Sequence, residues 1–355
     1  MAVIHFDERY KAALIQGFDK ASETDALFDH SLDMEFSGVK TVHVKSLKTE
    51  PLQDYNRSVD PTTGSRYGAT KEIGNEEQVF TMTQDKSLSL TVDKGNNKEV
   101  MDKHKVGAVM AAERDEHIIP FVDTYRLKAW AEKAGIVYPL TAALSKTTVV
   151  EAVTTAWYTM RNKGVKDATL LIPFQYMPYL ILAPEWVGLD SLGGKALPSG
   201  VVGQLAGLNV KPMSNERMPK NVEFMILHKK SVISPMKIKD FKGHTDPPGL
   251  SGDLIEFRMI FDAFVLGKKA DGVLIAVQTA HKAAAPTIAA ATGAVTTKES
   301  GGTTYFTIDG SDPRYSSTSQ AYTSAPTVVK GDIVKAYTVI ANKYASDVVE
   351  ATVTG

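Results

Sequence analysis

Metal binding and acid–base chemistry need donors at fixed spacings, and this chain does not supply them. Its eight histidines, His5, His30, His43, His104, His117, His228, His244 and His281, never pair at ligand spacing, and no HExxH is present. Each reads as a surface or packing histidine. Gly193-Gly194-Lys195 hints at a phosphate loop, but Leu189 stands where the first glycine belongs, and Ala196 offers no hydroxyl to magnesium. Gly249-Leu250-Ser251-Gly252 lacks the spacing of a hydrolase elbow. Cysteine is absent, which removes thiolate zinc sites, thiol nucleophiles and a disulfide framework.

The remaining candidates are carboxylates and aromatics. Glu113, Asp115, Glu116 and Asp123 line one long helical run, where charges read as a solvated or interface face rather than an acid/base pair. Asp309-Gly310-Ser311-Asp312 opens like a calcium loop, but Pro313 falls where a ligand is needed, so a turn is expected. Tyr305, Tyr315, Tyr322 and Tyr337 have strand spacing and read either as a sugar-stacking surface or as the core and rim of a small β domain. No catalytic residue, metal or cofactor is expected.

The elements that would carry these residues are clearer. The stretch from Gln78 to Gly135 organises the chain. Phe80 and Met82, then Leu88, Leu90 and Val92, alternate with polar residues around Gln84-Asp85-Lys86-Ser87 and predict a β-hairpin. A helical run follows over 98–133, with Val106, Val109, Met110, Ile118, Val122, Tyr125 and Ala129 at helical spacing. Pro120 predicts a kink or fresh start, and Gly135 the end. Before the hairpin, 54–77 is polar and turn-rich, too weakly apolar to fold on a core of its own. Tyr10, Leu14, Ile15 and Phe18 predict a short amphipathic helix near the start, packed on its own domain or on a neighbour.

Beyond Gly135 a second helix is expected over 147–161, and strands at 167–174, 205–210, 223–227, 231–233, 254–265 and 272–277, with a short helix within 176–187. Helices and strands come in segregated runs, so the class is α+β. After His281 the composition changes. Lys282-Ala283-Ala284-Ala285-Pro286 reads as a linker, and strands at 303–308, 327–329, 333–341 and 348–353 predict an all-β immunoglobulin-like sandwich. With 40 basic and 41 acidic residues the charge is balanced, which argues against a dedicated nucleic-acid binder. No run of roughly 18 apolar residues and no exported leader occurs, so no membrane partner is expected.

Several of these stretches, in this order, resemble the major capsid protein of tailed bacteriophages, the Hong Kong 97-like coat fold. They are Lys40-Thr41-Val42, Pro51-Leu52-Gln53-Asp54-Tyr55-Asn56-Arg57, Leu90-Thr91-Val92-Asp93, Asp123-Thr124-Tyr125-Arg126, and Met218-Pro219 before the strand ending in His228-Lys229. The resemblance implies an N-terminal arm (1–38), an extended loop with its hairpin (39–97), a spine helix and peripheral domain (98–148), an axial domain (149–221) and returning strands (222–280). The linker (281–286) would lead to the immunoglobulin-like domain (287–355), whose Tyr305-Phe306-Thr307-Ile308-Asp309-Gly310-Ser311-Asp312-Pro313, Tyr322 and Gly331-Asp332 resemble domains attached to chitobiase-type glycosidases and phage surface proteins.

The function implied is a non-enzymatic shell subunit of the virion capsid, assembled in the host bacterial cytoplasm. It would pair with itself in hexamers and pentamers, use a portal and a separate scaffolding protein, and enclose double-stranded DNA without sequence-specific binding. The immunoglobulin-like domain would face outward on its linker, be dispensable for closure, and have a host-surface glycan as candidate ligand. Inter-subunit contacts are expected at Asp54, Tyr55, Asn56, Arg57, Arg66, Phe80, Met82, Leu88, Leu90, Asp93, Glu113, Arg114, Asp123 and Arg126. Surface-ligand contacts are expected at Tyr305, Asp309, Asp312 and Tyr322. The alternatives are a carbohydrate-active enzyme with a binding appendage, which would need a carboxylate pair, or another phage structural protein such as a tail tube.

Overall fold

The computed structural model describes residues 22–30, 34–38, 40–47, 52, 54–58, 65–67, 72, 75–99, 106–183, 186–188 and 201–355. The amphipathic helix expected around Tyr10–Phe18, the glycine-rich stretch at 189–200 and the 100–105 part of the helical run lie outside these residues.

At the centre is a seven-stranded mixed sheet. In spatial order its strands are Ile136–Leu140, Val273–Gln278, Val222–Leu227, Thr169–Pro173, Leu208–Met213, Gly203–Leu205 and Val187–Gly188. The first two are parallel, as are Thr169–Pro173 and Leu208–Met213; the other pairs are antiparallel. Its middle strands are apolar on both faces, because each face is covered by a helix. Leu170, Ile172, Phe224, Ile226, Leu274 and Ala276 meet Val149, Val153, Ala156, Trp157 and Met160 of the helix Val149–Asn162. The alternate residues Leu171, Met225, Leu227, Val273, Ile275 and Val277 meet Leu127, Trp130 and Ala131 of the helix Ile119–Glu132. The period-2 alternation of the strands thus sorts side chains between two helices.

The long helical run is composite. A helix over Val106–Glu113 passes through one π-turn, Arg114–Ile118, into Ile119–Glu132. Pro120 sits in the first turn of the last segment, as a fresh start requires. The Ile119 N–H donates to the Arg114 carbonyl five residues back, so the register has already shifted when it reaches the residue that cannot donate. Gly135 lies just past the end of the helix, as expected, and is required there by a close backbone approach. A Cβ there would run into the Ala270 carbonyl, so only glycine lets the two backbones pass.

The expected hairpin is corrected. Asn75–Thr81 and Gln84–Asp93 are both strands, but they pair with other partners and not with each other. Asn75–Thr81 joins Thr41–Leu47, which also carries Glu35–Ser37. Gln84–Asp93 joins Gly252–Phe261, with Leu90 opposite Ile255. Between them Met82 donates its N–H to the Lys40 carbonyl (2.7 Å), and Thr83 donates its own to Asp262 Oδ2 (2.7 Å). Those anchors hold the two strands in different sheets. Gly252–Phe261 also pairs with Met236–Thr245, a strand the sequence analysis missed: Met236 and Ile238 alternate with Lys237 and Lys239, but the alternation breaks at Asp240-Phe241 and Gly243 follows. The single strand expected at 205–210 is instead a tight hairpin, Gly203–Leu205 and Leu208–Met213, whose central Ala206 and Gly207 have φ of 49° and 82°.

After residue 281 the chain is all β. Thr287–Ile288 pairs with Val295–Thr296, and a four-stranded antiparallel sheet runs Gln320–Ala321, Thr303–Thr307, Ile333–Val339, Val349–Thr352. Val295, Phe306, Val334, Ala336 and Val353 form its core. The expected strand at 327–329 is not formed.

Candidate assembly surfaces

The loop residues expected to meet a neighbour are on the surface. Asp54, Tyr55, Asn56, Arg57 and Arg66 are all exposed, and Leu52 is fully so at 102 %. The loop has little to hold it from within. The Asn56 N–H donates to the Arg66 carbonyl at 2.9 Å, and the Tyr55 ring meets Tyr67 edge-on with centroids 5.1 Å apart. That pair stands clear of the hydrophobic clusters, with Tyr67 79 % exposed. Among the described residues the segment thus presents an exposed aromatic pair beside two arginines.

The strand residues of the same expectation are placed inside. Met82 is buried with Val42 and Ile260, and Phe80 stacks on Phe264 at 4.7 Å. Leu88 packs against the cluster of Val122, Phe257, Met259 and Phe261, and Leu90 is half-buried. Asp93 accepts the Asn96 N–H at 3.0 Å and so caps the short helix Lys94–Glu99. Glu113 lies 4.0 Å from His117 one turn on, and Arg114 forks onto Asp115 at 2.6 and 3.0 Å, holding that half-buried carboxyl below its usual range.

Asp123 and Arg126 are buried too, at 0 % and 5 % exposure. Asp123 accepts from Ser22 Oγ, the Glu23 N–H, Thr24 Oγ1 and Arg217, all within 2.9 Å. Arg126 donates to Thr24 Oγ1 and Asp25, and through Nε to Ser234, while its guanidinium lies 4.9 Å from the Phe28 ring centroid. The cluster ties three distant segments, 22–28, 214–217 and Ser234, to one face of the helix. Lys211 is buried alongside, and burial pushes its ammonium below its usual range against the pull of Glu23, Asp123 and Asp25. Sequence spacing gave no sign of Arg217 or Glu23, since these partners are about 100 to 190 positions apart.

A groove of about 750 Å³ runs between this helix and the Met236–Thr245 and Gly252–Phe261 strands, lined by Met110, Ile118, Met236, Phe241, Phe257 and Met259 among others. Among the described residues no group of three or more His, Asp or Glu is arranged to hold a metal.

In the C-terminal sheet, Tyr305 stacks on Tyr337 at 5.7 Å, and Tyr322 meets the core residue Phe306 edge-on at 5.7 Å. Asp309 closes its own turn, accepting from the Ser311 N–H and hydroxyl and from Thr318. Burial raises the Asp312 carboxyl, but the Arg314 guanidinium outweighs it and leaves the group below its usual range. These side chains brace turns and ring contacts within the sheet.

No protein-family model matches the chain, and neither does any curated protein. Solved structures do. A chain of the capsid of cyanophage P-SCSP1u superposes with a TM-score of 0.59 at 13 % identity, covering 77 % of this chain and 93 % of that one. One from the asymmetric unit of the bacteriophage PhiM1 mature capsid gives 0.55 at 12 % identity, covering 79 % and 97 %. One from Mycobacterium phage Che8 gives 0.51 at 14 %, covering 78 % and 98 %. The chain therefore has the Hong Kong 97-like coat fold, built on the helix and sheets described above.

Proposed function

We propose that this coat fold serves as a coat: the chain is the major head protein of a tailed bacteriophage, a non-enzymatic subunit that assembles into the hexamers and pentamers of an icosahedral shell. The observation that carries the reading is the pairing of that fold with exposed loop residues, Tyr55, Arg57, Arg66 and Tyr67, which belong to no hydrophobic cluster among the described residues. In a shell, the area such a loop buries on its neighbour supplies the cohesion that its own chain does not.

The location follows as the virion capsid, with double-stranded DNA enclosed without base-specific contacts. A portal and a separate scaffolding protein complete the assembly, and the C-terminal unit is the immunoglobulin-like, outward part. A host-surface glycan is its candidate ligand. The carbohydrate-active alternative is the weaker reading, because Asp115 is held by Arg114 and Asp123 is consumed by a structural cluster.

Negative-stain electron microscopy of the purified protein, alone and with its neighbouring gene products, tests the proposal. Closed shells or capsomer rings are expected. A monomer under every condition would overturn it.

A further inference from the structure

The C-terminal unit does not hang from its linker. Lys282 bonds the Val137 carbonyl (2.7 Å) and Asp347 (2.6 Å), and Ala283, 3 % exposed, donates its N–H to the Tyr344 carbonyl at 2.9 Å. The alanines and proline that read as a flexible tether are thus partly built into the fold.

The stronger contacts are at the end of the spine helix. The helix stops at Glu132 and the next strand begins at Ile136, and the carbonyls of all three residues between them accept bonds from the C-terminal unit. Tyr315 donates its hydroxyl to the Lys133 carbonyl at 2.7 Å. Arg314 donates from one nitrogen to the carbonyls of Ala134 (3.2 Å) and Gly135 (2.6 Å), while its other nitrogens fork onto Asp312. A cation at a helix C-terminus also meets the negative end of the dipole. On the far side Tyr344 donates to the Lys220 carbonyl at 2.8 Å. Tyr315 and Tyr344 both pack against the hydrophobic cluster that joins the helix to the central sheet, and burial pushes both phenols above their usual range. Gly267 makes room for this: a Cβ there would lie 2.7 Å from Tyr315 Cβ.

We propose that the C-terminal unit is an intramolecular clamp, holding the end of the spine helix and the 216–221 loop to the central sheet. Arg314, Tyr315 and Tyr344 are its jaws. The inference stands independently of the shell reading.

Hydrogen–deuterium exchange on the full chain tests it. Tyr315→Phe/Tyr344→Phe removes two hydroxyls and leaves the Arg314–Asp312 fork intact; Arg314→Met is the stronger variant. The clamp predicts exchange about tenfold faster over residues 127–140 in Arg314→Met, the scale of one lost charged hydrogen bond. The double tyrosine variant shifts the same segment by a smaller factor, and the helix Val149–Asn162 on the opposite face of the sheet stays unchanged. Unchanged exchange over 127–140 in both variants overturns the proposal, whatever happens in the C-terminal sheet. So does an equal rise in every segment, which would mark general destabilisation.

Discussion

Asp123 and Arg217 lie 2.8 Å apart in a site where both are almost fully buried. They join the middle of the spine helix to a loop 94 residues further along the chain. Each charge is saturated by further bonds, which is what makes a buried pair tolerable. Whatever moves the helix must also move the 22–28 segment and the 214–217 loop.

Breaking that pair from one side strips a buried charge of its nearest partner. Asp123→Ala is expected to cost about 3–5 kcal/mol of subunit stability, whereas truncating the exposed Lys128–Glu132 pair costs well under about 1 kcal/mol. Urea unfolding of the two variants, monitored by tryptophan fluorescence, checks the contrast.

Two glycines give opposite outcomes for the same substitution. Gly107→Ala, in an exposed helical position with open space around it, is expected to stabilise by roughly 0.5–1 kcal/mol. Gly135→Ala drives a methyl into the Ala270 backbone and destabilises. Thermal melts separate the two by the sign of the change in Tm.

The loop variant separates folding from assembly. Tyr55→Ala/Tyr67→Ala alters side chains outside the core, so unfolding of the isolated subunit should shift by no more than about 0.5 kcal/mol. Sedimentation of assembly reactions should nevertheless show fewer closed particles. A variant that assembles like the parent removes the loop from the interface.

His228 sets a pH dependence. Burial, then the neighbouring Lys269, lowers its pKa from the usual 6.5, so the folded protein favours the neutral ring. The unfolded chain takes up the proton first as pH falls. The stability this group contributes is therefore complete above about pH 6.5 and is lost as pH drops through its folded-state value. An NMR titration should place its imidazole midpoint below the usual 6.5, and His228→Gln should flatten the stability profile below neutral pH.

What was legible in the sequence was whatever depends on neighbours a few residues away. The helix at 149–162 follows from its 3.6-residue period, the fresh start at Pro120 from proline's missing donor, and the strands at 169–173 and 222–227 from short continuous apolar runs. The change of character at His281 was equally plain. Strand partnership was not. Asn75–Thr81 and Gln84–Asp93 look like two arms of one hairpin, since local patterning cannot reveal that Thr41–Leu47 and Gly252–Phe261 offer each a longer ladder.

The polar contacts divide in the same way. Tyr55 and Arg57 could be read as surface residues from their company alone, whereas Asp123 and Arg126, equally charged, turn inward. Nothing within a helical turn of Asp123 announces Arg217, and nothing near Arg314 announces the carbonyl of Gly135. By itself the sequence determined many of the elements and the coat-like order of its segments. Tertiary structure decided which strands share a sheet, which charges are buried and that the C-terminal unit grips the spine helix, because burial and pairing belong to groups that meet only once the chain has folded.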